Sequence, residues 1–324
     1  MKPIGNFFLY SLTFFLLPQF SLFAQSDGPR THLPAPTDAW IFNVKYLNLE
    51  QNIIPSGNLL IKNAKVTIDV MPITIARTFA IGNNWARVLV MAAPTLSFKG
   101  TINAPALPLP INQVKTSGIS DGWVTFEMGL INRPAQNIIE FSKQAPAKFS
   151  MNGLFRFWYS GSYDKNKYIN LGSNRLAFDV GLPMSIRINN NPKKILWLET
   201  WPGIQVFTPN NEPSKPSNSS KTTQYPLFYL ENHLSYNFNS KLYCGLDLRF
   251  QQGGQTLDDG VKNNNTLTTG AGGVFIGYKF LPYLDFYASY DEIFWGVNDA
   301  QSRMIRLSLA IAYIDMKKYK KKVI

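Results

Sequence analysis

From Leu176 to Ile188 the chain alternates between apolar residues and polar or small ones. Leu176, Phe178, Val180, Leu182, Met184, Ile186 and Ile188 make one set, and Arg175, Ala177, Asp179, Gly181, Pro183, Ser185 and Arg187 the other. A strand sends successive side chains to opposite faces, so this stretch is a ribbon with one greasy side and one polar side. The same phase returns at 226–238, 241–251, 283–292 and 303–314. There Phe228, Leu246, Phe286 and Leu307 stand opposite Glu231, Asp247, Asp285 and Arg306. Each ribbon must place its greasy side against a second sheet or against hydrocarbon. A soluble sandwich and a membrane barrel are the two solutions.

Connection length separates them. About 12 strand segments are expected, at 39–49, 61–79, 84–98, 121–130, 148–159, 174–188, 195–207, 226–238, 241–251, 266–280, 283–292 and 303–314. Short links (Gly82-Asn83-Asn84, Asn189 to Lys194, Asn239-Ser240 and Leu281-Pro282) alternate with longer polar ones at 99–120, 160–173, 208–225, 252–265 and 293–302. Barrels of the bacterial outer membrane have this rhythm, with short periplasmic turns and longer outer loops. The fold class is therefore all-β, an antiparallel transmembrane β-barrel of about 12 strands. One inner link, 131–147, is too long for a turn, and its Ile138, Ile139 and Phe141 fit a short interfacial helix at the periplasmic rim. Pro72 interrupts the second segment, where proline costs a ladder bond.

The ends of the chain fit this placement. Residues 1–24 have the form of a signal peptide, with Lys2, an apolar run from Phe7 to Leu17 and Ala24 before the cut. Residues 25–38 read as a flexible lead-in, 39–314 as the barrel and 315–324 as a basic tail. The mean hydropathy of -0.10 matches a barrel in which only alternate residues meet lipid. Half of the net charge of +12 lies in Lys2, Lys317, Lys318, Lys320, Lys321 and Lys322. The remaining cations are spread over strands and loops rather than gathered on one face, which argues against a nucleic-acid partner. One cysteine and two histidines leave no set of zinc ligands, and no glycine loop of the nucleotide-binding kind occurs, so no metal or cofactor is expected.

The order of the strands and their turn residues resembles an outer-membrane transporter family named for the meta-cleavage pathway of phenol degradation. The pieces that carry the resemblance are Arg77-Thr78-Phe79 before a Gly-Asn turn, Pro94, Gly118-Ile119-Ser120-Asp121 and Asn170-Leu171-Gly172-Ser173-Asn174-Arg175. Further on come Thr200-Trp201-Pro202-Gly203, Phe207-Thr208-Pro209-Asn210-Asn211, Gln224-Tyr225-Pro226-Leu227, His233 with Tyr236 and Phe238, and Gly253-Gly254 with Asp259-Gly260. They span roughly 39–314. The resemblance implies a membrane barrel that passes small organic, often aromatic, compounds. Its partners would be the lipid bilayer, a small-molecule solute and the barrel-assembly machinery. That machinery reads an aromatic residue in the last strand, here Tyr313, although this chain runs on past it to Ile324.

The polar phase supplies the lumen candidates: Arg187, Glu199, Trp201, Glu231, His233, Asp247, Arg249 and Asp285. In all, eight cations, including Arg87, Lys148 and Arg156, face seven anions there, a mixture that favours ion pairs over a ring of one sign. Trp123, Trp158, Trp197, Tyr229 and Tyr243 share that phase and can stack an aromatic solute. Two other functions are open at this stage. One is a structural or surface barrel with an occluded lumen. The other is an outer-membrane lipid hydrolase using His233 as base and Ser235 as nucleophile, although no Gly-x-Ser-x-Gly elbow accompanies them and both lie on the polar phase. The acidic and amide residues from Thr256 to Asn265 lack EF-hand spacing and read as an ordinary outer loop.

Overall fold

A computed structural model describes residues 27–53, 60–62, 64–102, 111–167, 170–191, 194–214, 217–316 and 319. The expected signal peptide and the lysine cluster of the tail lie outside the described residues. The strands are β1 (Ala39–Gln51), β2 (Ala64–Val70), β3 (Ile73–Ile81), β4 (Asn84–Ile102), β5 (Ile111–Ile131), β6 (Phe149–Tyr159), β7 (Ala177–Gly181), β8 (Met184–Arg187) and β9 (Leu196–Phe207). They continue as β10 (Thr222–Gln224), β11 (Leu227–Asn237), β12 (Leu242–Gly253), β13 (Thr256–Asp258), β14 (Val261–Lys262), β15 (Leu267–Leu281), β16 (Leu284–Gly296) and β17 (Ser302–Ile314). Each pairs antiparallel with its neighbours, and β17 returns to β1 along their full lengths, Trp40 opposite Tyr313 and Glu50 opposite Arg303. With β2 and β3 counted as one stave and β7 and β8 as another, the ring closes at twelve staves.

Both broken staves break at a proline. Met71-Pro72 separates β2 from β3, and Leu182-Pro183 separates β7 from β8, because proline has no N–H to give the ladder. The wall stays closed there: Lys45 N donates to Pro72 O at 2.9 Å and Asn152 N to Pro183 O at 2.8 Å. The expected single strand at 174–188 is thus two short ones with unbroken phase. Small strands β10, β13 and β14 make a separate three-stranded sheet, β10 in the expected outer loop at 208–225 and β13 and β14 in that at 252–265. The predicted outer loop at 99–120 is instead mostly strand, since β4 runs to Ile102 and β5 starts at Ile111. This hairpin projects past the apolar band, where neither face needs hydrocarbon and alternation no longer marks a strand. Helix α1 (Ile138–Lys143) lies within the long inner link, as expected, with a capping box made by Asn137 and Glu140.

Leu176, Phe228, Leu246 and Leu307 are 39%, 57%, 50% and 40% exposed on the outside of the ring. Aromatic Trp40, Tyr283 and Tyr313 are exposed at the short-turn end, and Phe228, Phe294 and Trp295 toward the other. An apolar exterior between aromatic girdles is a surface built for lipid. The protein is a transmembrane β-barrel.

Its interior departs from the uniformly polar lumen expected of the alternation. Val66, Ile68, Val70, Leu89, Met91, Phe98, Trp123, Leu171 and Met304 are buried together inside the outer half. The cause is an inversion of chemistry across Pro72. In β3 the inward positions are Thr74, Ala76 and Thr78, whereas in β2 they are Val66, Ile68 and Val70. On the outward face of β2 stand Lys65, Thr67 and Asp69.

Candidate functional site

The lumen is not empty of chain. Residues 27–38, expected to be a flexible lead-in, dock inside the barrel, with Gly28, Pro29, His32 and Thr37 buried. Inward charges on the strands hold this segment because a buried charge needs a partner. Arg156 donates to the Asp27 carboxylate, and Lys45 Nζ to the Asp27 carbonyl at 2.5 Å. Glu199 accepts from the backbone N–H of Arg30 at 2.8 Å and of His32 at 3.0 Å. The His32 ring meets Glu127 at 3.1 Å through Nδ1, and its carbonyl accepts from Arg133 at 2.6 Å and Ser185 at 3.0 Å. The Arg30 guanidinium lies 4.2 Å over the Tyr243 ring. Burial works to raise the Asp27 carboxyl, but Arg156, Lys45 and His32 outweigh it and hold it at about 2.

This segment divides the lumen into two cavities. The outer one is about 190 Å³. Its apolar wall is Leu47, Leu49, Ile68, Met91, Phe98 and Met304, and its polar wall Trp201, Tyr229, Glu231 and Arg249. Leu171, from the outer loop between β6 and β7, is buried and lines it as well. The base of that loop is tied by Asp121, which accepts from Gly161 N at 2.9 Å and Ser173 N at 3.0 Å. Gly161 passes so close to β5 that a Cβ there would sit 2.2 Å from the Ile119 carbonyl. The inner cavity, about 330 Å³, opens toward the short-turn end between Ile41, Ala76, Arg87, Lys279, Asp285 and the segment itself.

The eight lumen candidates all stand on the inward phase, but they do different things. Trp201, Glu231 and Arg249 come together on the polar wall of the outer cavity, with Glu231 and Arg249 3.1 Å apart. Trp201 packs edge-on to His32 at 4.9 Å and to Tyr229 at 5.3 Å, with Arg156 5.1 Å from its face. Asp285 lines the inner cavity and accepts from Tyr243 OH at 3.1 Å. Glu199 is an anchor of the docked segment. Arg187 lies opposite Trp197 toward the periplasmic end. His233 and Asp247 form a buried pair, 2.5 Å from Nδ1 to Oδ1. Ser235 Oγ, also buried, has no hydrogen-bond partner among the described residues, so the base–nucleophile contact of a hydrolase is not made.

Lys148, expected in the lumen, is exposed just before β6 begins. Sequence reasoning missed the apolar half of the site and the docking of Asp27 and His32. The apolar half had a trace in Val66, Ile68 and Val70, which alternate in the segment that Pro72 made least regular. The docking left none, because a short polar stretch reads the same whether it is solvated or buried by partners far away in sequence.

The family described as "Putative MetA-pathway of phenol degradation" matches residues 65–308. The chain belongs to this family. Among solved structures, an outer-membrane channel from Pseudomonas putida F1 aligns with a TM-score of 0.71 and 14% identity over 89% of this chain and 100% of its own. The translocator domain of the autotransporter NalP from Neisseria meningitidis gives 0.47 at 11% identity over 87% and 90%. A deltaS2 mutant of the TodX monoaromatic hydrocarbon channel gives 0.41 at 8% over 90% and 94%. At these identities the likeness to the first is one of fold. No curated protein sequence matches the chain.

Proposed function

We propose that this barrel passes small apolar or aromatic compounds across the outer membrane down their gradient, with its own N-terminal segment setting how far the path is open. The outer cavity carries the reading. A lumen meant for water and ions has no use for Leu47, Leu49, Ile68, Phe98 and Met304 around one space, since apolar walls repel what a porin admits. A cavity of roughly 150 Å³ with such walls accepts a benzene ring, so one of about 190 Å³ suits a single ring with a small substituent. On the opposite wall Trp201 Nε1, Tyr229 OH and Glu231 Oε2 are buried without a hydrogen-bond partner among the described residues. They suit one polar substituent, such as a hydroxyl. Pairing of the lumen charges with one another and with residues 27–38 leaves no ring of one sign to select an ion. Passage requires no bond to be made or broken. Delivery to the membrane rests on the barrel-assembly machinery reading β17, where Tyr313 ends the apolar face.

Titrating toluene into the purified barrel and following tryptophan fluorescence tests this. Trp123, Trp158 and Trp201 line the outer cavity, so saturable quenching is expected, and Ile68→Trp, which fills the space, should abolish it. A linear response, the same in both proteins, would favour the occluded structural barrel.

A further inference from the structure

Three lysines stand on the outward face of adjacent staves at the outer end of the barrel. Lys65 on β2, Lys99 on β4 and Lys115 on β5 are all exposed. Lys99 is directly across from Lys115, and its partner on the other side is Thr67, two residues from Lys65. Like charges placed directly opposite one another on a sheet repel. None of the three has its ammonium within 4.0 Å of a described carboxylate, although Lys99 is near enough to Asp69 to attract it. Asp69, further down the same face, gives its carboxylate to Tyr46 at 2.7 Å, Asn48 at 2.8 Å and Ser97 at 2.6 Å.

Depth identifies what lies against this patch. On β4 the outward apolar positions run from Val88 to Leu96, eight residue steps, or about 20 Å of membrane for a strand tilted about 40°. Beyond Leu96 the outward face of β4 turns polar, first at Ser97, which is bonded to Asp69, and then at Lys99, and on β5 Lys115 lies beyond the exposed Ile119 and Ser117. The three ammonium groups therefore sit at the headgroup level of the outer leaflet, with lipid-facing side chains beneath them. Elsewhere on that edge the exposed Arg303 is already paired with Glu50, and Gln252 is neutral. The patch belongs to one sector of the wall.

We infer that Lys65, Lys99 and Lys115 form a binding site for the phosphate of an anionic outer-leaflet lipid whose acyl chains lie along Leu96, Ile119 and Val90. A phosphate between the lysines neutralises the Lys99–Lys115 opposition, and flexible ammonium groups suit an anion approached as a point charge. The inversion of chemistry in β2 produces both this site and the apolar cavity, since the residues that line the cavity face inward exactly opposite those that meet the headgroup. The site does not depend on the transport reading.

The test uses the full-length folded barrel in detergent with labelled bis-phosphorylated lipid A, its dephosphorylated form and inorganic phosphate. Wild-type protein should bind the phosphorylated lipid at least tenfold more tightly than the dephosphorylated one. The triple variant K65Q/K99Q/K115Q should lose affinity on the order of a hundredfold, as removal of three near-surface charges implies. Lys165→Gln with Lys167→Gln, in the outer loop, should change nothing. An unchanged thermal midpoint shows that the triple variant is folded. Equal binding of the two lipids, undiminished binding by the triple variant, or displacement of the lipid by equimolar inorganic phosphate would each overturn the inference.

Discussion

Asp27 is the residue of the docked segment with the most cations around it. Its carboxylate meets Arg156, with Lys45 on its carbonyl and His32 nearby, and it titrates at about 2 against an ordinary 3.8. A carboxyl lowered in the folded protein contributes its docking energy in full above the ordinary value and loses it as pH falls through the folded one. Conductance of the barrel in a planar bilayer should therefore rise as pH is taken from about 4 to about 2. Asp27→Asn, which cannot ionise, should show raised conductance at pH 7 and a smaller step across that window. Flat and identical traces would show that this contact does not hold the segment. On the opposite wall, Glu231→Gln leaves Arg249 buried without its counter-charge, a loss of about 3–5 kcal/mol by the usual cost of breaking a buried pair. Urea unfolding in detergent reads it directly.

At the scale of elements, the N-terminal segment and the barrel wall are separable. The ladder from β1 round to β17 closes without residues 27–38. Deletion of those residues should leave a heat-resistant barrel with several-fold higher conductance, and a variant that fails to fold would show the segment to be structural. The wall was legible in the sequence because Leu176 to Ile188 and Leu227 to Gly253 carry a period of two with one solvent on each side. The same rule failed where the solvent changes. Beyond Lys99 and Lys115 the extended hairpin of β4 and β5 has left the apolar band, so its strands read as a loop. In β2 the apolar phase faces inward, toward Phe98 and Met304, rather than toward lipid. The candidate site was half legible: Trp201, Glu231 and Arg249 follow from polar phase on three strands. Leu49, Leu171 and Asp27 do not, because they reach the site through packing that no local pattern encodes.

For the molecule as a whole, the account rests on two apolar regions, one facing lipid and one enclosed by the outer lumen. The lipid face predicts that Leu307→Arg, at mid-depth on β17, costs about 2–4 kcal/mol in folding from urea into vesicles, while Gln252→Arg at the outer edge costs about 1 kcal/mol or less. The enclosed region is what the proposed path rests on, and one measurement addresses that most directly. Uptake of a radiolabelled monoaromatic compound is followed in intact cells that lack other channels for it, carrying wild-type protein, the Ile68→Trp variant or an empty vector. Wild-type cells should take it up several-fold faster than vector cells, with the variant, present at equal abundance, falling back to the vector rate. Equal rates in all three would contradict passage through the cavity and leave a lipid-facing barrel that transports nothing.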